Sequence, residues 1–70
     1  MKVIVCGAGQ VGFSIARHLA LENNDVTVVD QEASLVRRVG DSLDVQAVVG
    51  HASRPDTLER AGAADADMLI

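Results

Sequence analysis

Seventy residues allow at most one small domain, and a chain of this length buries only about 60% of the surface its unfolded form exposes. The formal charge of −4, with Arg37-Arg38 as the one basic pair, argues against a nucleic-acid surface, which needs a clustered basic face. No apolar run approaches the roughly 20 residues that cross a bilayer, so direct membrane insertion is excluded for this segment, and the single cysteine cannot pair within the chain.

Lys2 to Cys6 is apolar and β-branched and predicts a buried strand. From Gln10 to about Glu22 the residues Val11, Ile15 and Leu19 recur every fourth position, the pattern of one buried helix face. Asn23-Asn24-Asp25 supplies a turn, and Val26-Thr27-Val28-Val29-Asp30 a second strand. Helical spacing returns in Leu35, Val36, Val39 and Leu43, interrupted by Gly40. Val45 to Val49 reads as a third strand closed by Gly50. Pro55 suits the first turn of a further helix and Gly62 the position just past its end. Met68-Leu69-Ile70 opens a fourth apolar strand.

Strands alternating with helices in this way predict right-handed parallel βαβ units. Strands that are nearly continuously apolar predict a sheet covered by helices on both faces. The expected fold class is α/β, the first, mononucleotide-binding half of a Rossmann-like sheet, with strand order 3-2-1-4. Residues 1–70 are therefore expected to be the amino-terminal part of a dinucleotide-binding domain whose fourth strand is cut short.

Gly7, Gly9 and Gly12 match G-x-G-x-x-G between a predicted strand and a predicted helix. In that setting Gly7 permits the turn, Gly9 lets a pyrophosphate approach the backbone, and Gly12 lets helix and strand pack closely. Unpaired N–H groups from Gly9 through Gln10 to Val11, at the positive end of the helix dipole, would hold the phosphates. Asp30 ends the second strand 18 residues past Gly12, where a carboxylate accepts the adenosine ribose hydroxyls. The same carboxylate would repel a 2′-phosphate, and Gln31 rather than arginine follows it. NAD(H) is thereby favoured over NADP(H), while ATP, ADP or AMP could use the same adenosine contacts.

Gly50-His51-Ala52-Ser53 follows the third strand, at the end of the sheet where open α/β folds bind ligands. This loop is expected to border the adenine, with Ala52 against the ring, although His51 is equally readable as a plain loop histidine. His18 falls off the apolar stripe and reads as surface, and Cys6 as a small apolar residue beside the turn. Two histidines and one cysteine without ligand spacing make no metal site, and no residue stands out as catalytic.

The combination GAGQVG, ENNDVTVVD and VVGHASRPDTLERAGAADADMLI resembles the amino-terminal nucleotide-binding (RCK/KTN, TrkA-N) domain family of bacterial Trk potassium-uptake systems. The resemblance runs along essentially the whole chain, and its most specific parts are Gly50-His51-Ala52-Ser53 and Asp65-Ala66-Asp67-Met68-Leu69-Ile70. It implies that Gly7, Ala8, Gly9, Gln10, Val11 and Gly12 surround the phosphates. Asp30 with Gln31 would hold the ribose, and His51 with Ala52 would border the adenine. The function it implies is regulatory: a cytoplasmic module, peripheral to the inner membrane face, binds NAD(H) or an adenine nucleotide. Within a homo-oligomer it would control a membrane potassium-transporter subunit. The residues alone leave a second class open, the NAD-binding half-domain of an oxidoreductase, because proton-transfer groups of such enzymes lie beyond the fourth strand.

Overall fold

The computed structural model describes all residues from Met1 to Ile70. Its elements are β1 (Lys2–Cys6), α1 (Gln10–Leu21), β2 (Asp25–Asp30), α2 (Ala33–Ser42), β3 (Gln46–Val49), α3 (Pro55–Arg60), a 3₁₀ turn (Ala63–Asp65) and β4 (Met68–Leu69). The four strands form one parallel sheet in the order β3-β2-β1-β4. The Rossmann-like order expected from the sequence is thus the observed one.

β1 and β2 are central, and their side chains divide between two apolar layers. Val3, Val5, Val26 and Val28 point to the face covered by α1 and α2, where Ala16 and Val39 complete a buried cluster with Phe13 and Leu35 packed beside it. Ile4 and Val29 point to the other face and meet Ala61, Val48 and Ala63 around α3 and the 3₁₀ turn. Right-handed crossovers explain the division: β1 to β3 wind in one direction, and the return to β4 on the far side of β1 carries α3 across the opposite face. Val3 pairs with Val26 and with Met68, so β1 is hydrogen-bonded on both edges. Pairing with β4 continues through Ile70, whose N–H donates to the Ile4 carbonyl at 2.8 Å and whose carbonyl accepts the Cys6 N–H at 2.8 Å.

One helix face departs from expectation. Val11 does not join Ile15 and Leu19 in the core; it is 73% exposed, and Ala16 is the fully buried residue of α1. The physical reason is the closeness of α1 to β1. A Cβ on Gly12 would collide with the Gly7 carbonyl oxygen, so the face nearest the sheet carries the smallest residues, and the bulky positions lie on its shoulder. Along α2 the expected face holds, with Val36 and Val39 buried and Gly40 accommodated within the helix. The 3₁₀ turn at Ala63–Asp65 has no counterpart in the sequence expectation.

Candidate functional site

The carboxyl ends of β1, β2 and β3 release three loops on one edge of the sheet. Gly7 leaves β1 with φ of 118°, a conformation that L side chains avoid, and its N–H donates to the Val29 carbonyl at 2.7 Å. Gly9 is the N-cap of α1 with ordinary extended angles and no side-chain cap. A Cβ built on it meets no atom within 4 Å, so the space beside it belongs to nothing in the protein. The N–H groups of Gly9, Gln10, Val11 and Gly12 donate to no backbone or side-chain acceptor, and the first bond of the helix is Phe13 N–H to the Gly9 carbonyl at 2.8 Å. Free donors, an open approach and a helix of 12 residues behind them make an anion cradle.

Asp30 is half-buried at the end of β2. Its Oδ2 accepts the Ala8 N–H at 2.8 Å and its Oδ1 accepts the Glu32 N–H at 2.8 Å. The main-chain carbonyl of the same residue accepts the Gly50 N–H at 2.9 Å. Each carboxylate oxygen keeps a further lone pair, so ribose hydroxyls still find an acceptor.

In the third loop, the Ser53 N–H donates to His51 Nδ1 at 3.2 Å and Ser53 Oγ lies 2.6 Å from the same nitrogen. These contacts make Nδ1 an acceptor and place the ring proton of neutral His51 on Nε2. Gly50 is fixed by packing: a Cβ there would stand 2.6 Å from both Cγ2 and Oγ1 of buried Thr57 on α3. Arg60 braces the same corner by donating from Nη2 to the Val49 carbonyl at 3.1 Å.

Two hollows meet at this edge. One of about 210 Å³ is lined by Asp30, Gln31, Gly50, His51 and Ala52, with Cys6, Gly7 and Val29 as its floor. The other, of about 490 Å³, is lined by Gly9 to Gly12 together with Val5, Ile15 and Ile70 and shares Cys6 and Gly7 with the first. The residues expected to surround phosphate, ribose and adenine border one or the other, except Ser53 at the end of the third loop and Ala8, which is fully buried and spends its N–H on Asp30. Cys6 lies beneath both, and burial pushes its thiol pKa up, which disfavours the reactive thiolate. A further hollow of about 460 Å³ opens at the opposite end of the strands, between Asn23–Val26 and Asp44–Gln46. It holds two carboxylates and no helix N-terminus, so it suits an anion poorly. The roles of Thr57 and Arg60 were not legible in the sequence, because they depend on where α3 lands rather than on a motif.

The chain matches the family model of the TrkA-N domain over residues 3–70. It is 59% identical over its whole length to the Trk system potassium uptake protein TrkA of Azorhizobium caulinodans and 54% identical to that of Vibrio alginolyticus. It spans about 15% of the length of each of these relatives. Among solved structures it resembles the Kef CTD of Shewanella denitrificans in AMP bound form. There the TM-score is 0.81 at 31% identity, over 99% of this chain and 40% of that one. No helix here is long and apolar enough to cross a membrane. With the fold, the glycine turn and the family model in agreement, the chain belongs to the TrkA-N domain family.

Proposed function

We propose that this domain binds an adenine nucleotide across the two hollows at the carboxyl edge of the sheet, and that occupancy regulates a membrane potassium-uptake partner. The observation that carries the reading is the run of free N–H donors from Gly9 to Gly12 over open space, with the Asp30 carboxylate beside it. Phosphate lies over the first turn of α1, the ribose hydroxyls reach Asp30 next to Gln31, and the adenine sits against Ala52 below His51. The AMP-bound form of a structural relative supports an adenosine ligand. NAD(H) uses the same adenosine contacts, and Asp30 disfavours the 2′-phosphate of NADP(H) by charge repulsion.

A regulatory binding role is favoured over that of an oxidoreductase because the similar proteins are named for potassium uptake, not for a reaction. Such a module acts from the cytoplasmic side, peripheral to the membrane, within a homo-oligomer that contacts the transporter. Titration calorimetry of the purified protein with AMP, NADH and NADPH tests the ligand assignment. AMP and NADH should bind and NADPH should bind more weakly. Equal or tighter binding of NADPH would overturn the role given to Asp30.

A further inference from the structure

Asp30 is engaged by the protein itself before any ligand is considered. Its two carboxylate oxygens accept backbone N–H groups from two separate segments, Ala8 in the glycine turn and Glu32 at the start of α2. An amide side chain cannot reproduce this, since it offers one acceptor oxygen and turns an NH₂ group toward the second donor. A carboxylate is therefore required at this position by the backbone alone.

The bond to Ala8 matters because of what flanks it. Gly7 and Gly9 have no side chains to anchor the turn, and α1 has no side-chain cap. No other side-chain hydrogen bond reaches residues 7–12. Ala8 is thus the one point where the turn is fastened to a side chain, and the fastening is charge-assisted.

We infer that Asp30 is a positioning residue for the phosphate cradle: its carboxylate fixes the glycine turn so that the free N–H groups at the start of α1 are aimed before the nucleotide arrives. This rests on the nucleotide reading above and adds to the ribose contact a second task, directed at the phosphate. Apparent affinity falls with the fraction of molecules whose turn is competent, so loosening the turn weakens any phosphate ligand, with or without a ribose. Charge alone predicts the reverse, because a carboxylate near the cradle repels an anion and its removal should tighten binding. The sign of the effect therefore separates the two.

Inorganic pyrophosphate and AMP, titrated into the unaltered protein and Asp30→Asn, supply the first measurement. Pyrophosphate binding should weaken by about threefold to tenfold, as expected for loss of one hydrogen bond, and AMP binding by more. Pyrophosphate affinity that stays unchanged or rises in Asp30→Asn while AMP weakens would overturn the inference and leave the nucleotide reading intact. Failure of the unaltered protein to bind either ligand would contradict the nucleotide reading instead. The brace itself is then decided without ligand or variant, by nuclear magnetic resonance of the isotope-labelled, unaltered protein. The Ala8 amide should show scalar coupling across its hydrogen bond to the Asp30 carboxyl carbon. Absence of that coupling, with the coupling from the Gly7 amide to the Val29 carbonyl observed, would overturn the brace.

Discussion

Gly9 combines ordinary backbone angles with empty space where a side chain would stand, so the fold has no need of glycine there. Under the proposed function a nucleotide does, because its phosphate approaches the backbone at that point. Gly9→Val should therefore abolish nucleotide binding in calorimetry. The loss of stability should not exceed that of a good N-cap, about 1 kcal/mol, and far-ultraviolet circular dichroism should stay native. Normal NADH binding by the variant would reduce the glycine spacing to a turn motif. Gly12 is the opposite case: its Cβ would collide with the Gly7 carbonyl, so Gly12→Val should destabilise the fold by at least the 1–3 kcal/mol typical of overpacking. Cys6 gives a pH dependence. Below the ordinary thiol value of 9.0 the group is protonated in both folded and unfolded chains and contributes no slope. Above it the unfolded chain ionises first, because burial holds the folded thiol protonated, so stability falls as pH rises. Denaturant melts on either side of that value should show the decline, and Cys6→Ala should remove it. At this scale the glycine turn and Asp30 were legible because their spacing in the chain is their signature. The Ala8–Asp30 bond was not, because it joins residues 22 apart whose meeting depends on the register of β1 with β2.

Between elements, small contacts decide how helices sit on the sheet. Gly50 touches Thr57 so closely that Gly50→Ala should displace α3 and cost about 1–3 kcal/mol. Thr57→Ala removes both atoms nearest the added methyl, so the double variant should recover part of the loss. Chemical denaturation of the four proteins would read the coupling, and strict additivity would show that the contact does not govern α3. On the other face the Arg38 guanidinium lies 4.5 Å from the centroid of the Phe13 ring, linking α2 to α1. This contact is worth about 0.5–1 kcal/mol at an exposed site, which a urea melt of Arg38→Ala should detect. Strand and helix order followed directly from the alternation of apolar runs, down to Pro55 opening α3. The buried face of α1 departs from the sequence period at Val11, because periodicity gives only the direction of the bulky residues. The closest contact to a parallel strand is instead made by Gly12 and Ala16, which carry little hydrophobic signal. The short 3₁₀ turn left no period to read, since its three residues span a single turn.

Across the whole molecule, the sheet separates a cradle of free N–H groups at one end from an acid-lined hollow at the other. The edge at β4 leaves Met68, Leu69 and Ile70 exposed, with Val11 exposed on α1. Apolar groups beside an unpaired strand edge invite association, so a polypeptide of these 70 residues alone should self-associate in light scattering. A soluble monomer with a cooperative thermal transition would contradict that expectation. Amide chemical-shift mapping with AMP on the isotope-labelled protein decides whether an adenine nucleotide binds at the carboxyl edge of the sheet. The largest changes should fall at Gly9 to Gly12, at Asp30 and Gln31, and at Gly50 to Ala52, with the amides of Asn23 to Val26 and Asp44 to Gln46 unmoved. Changes concentrated in those latter segments, or none at saturating AMP, would contradict binding at that edge.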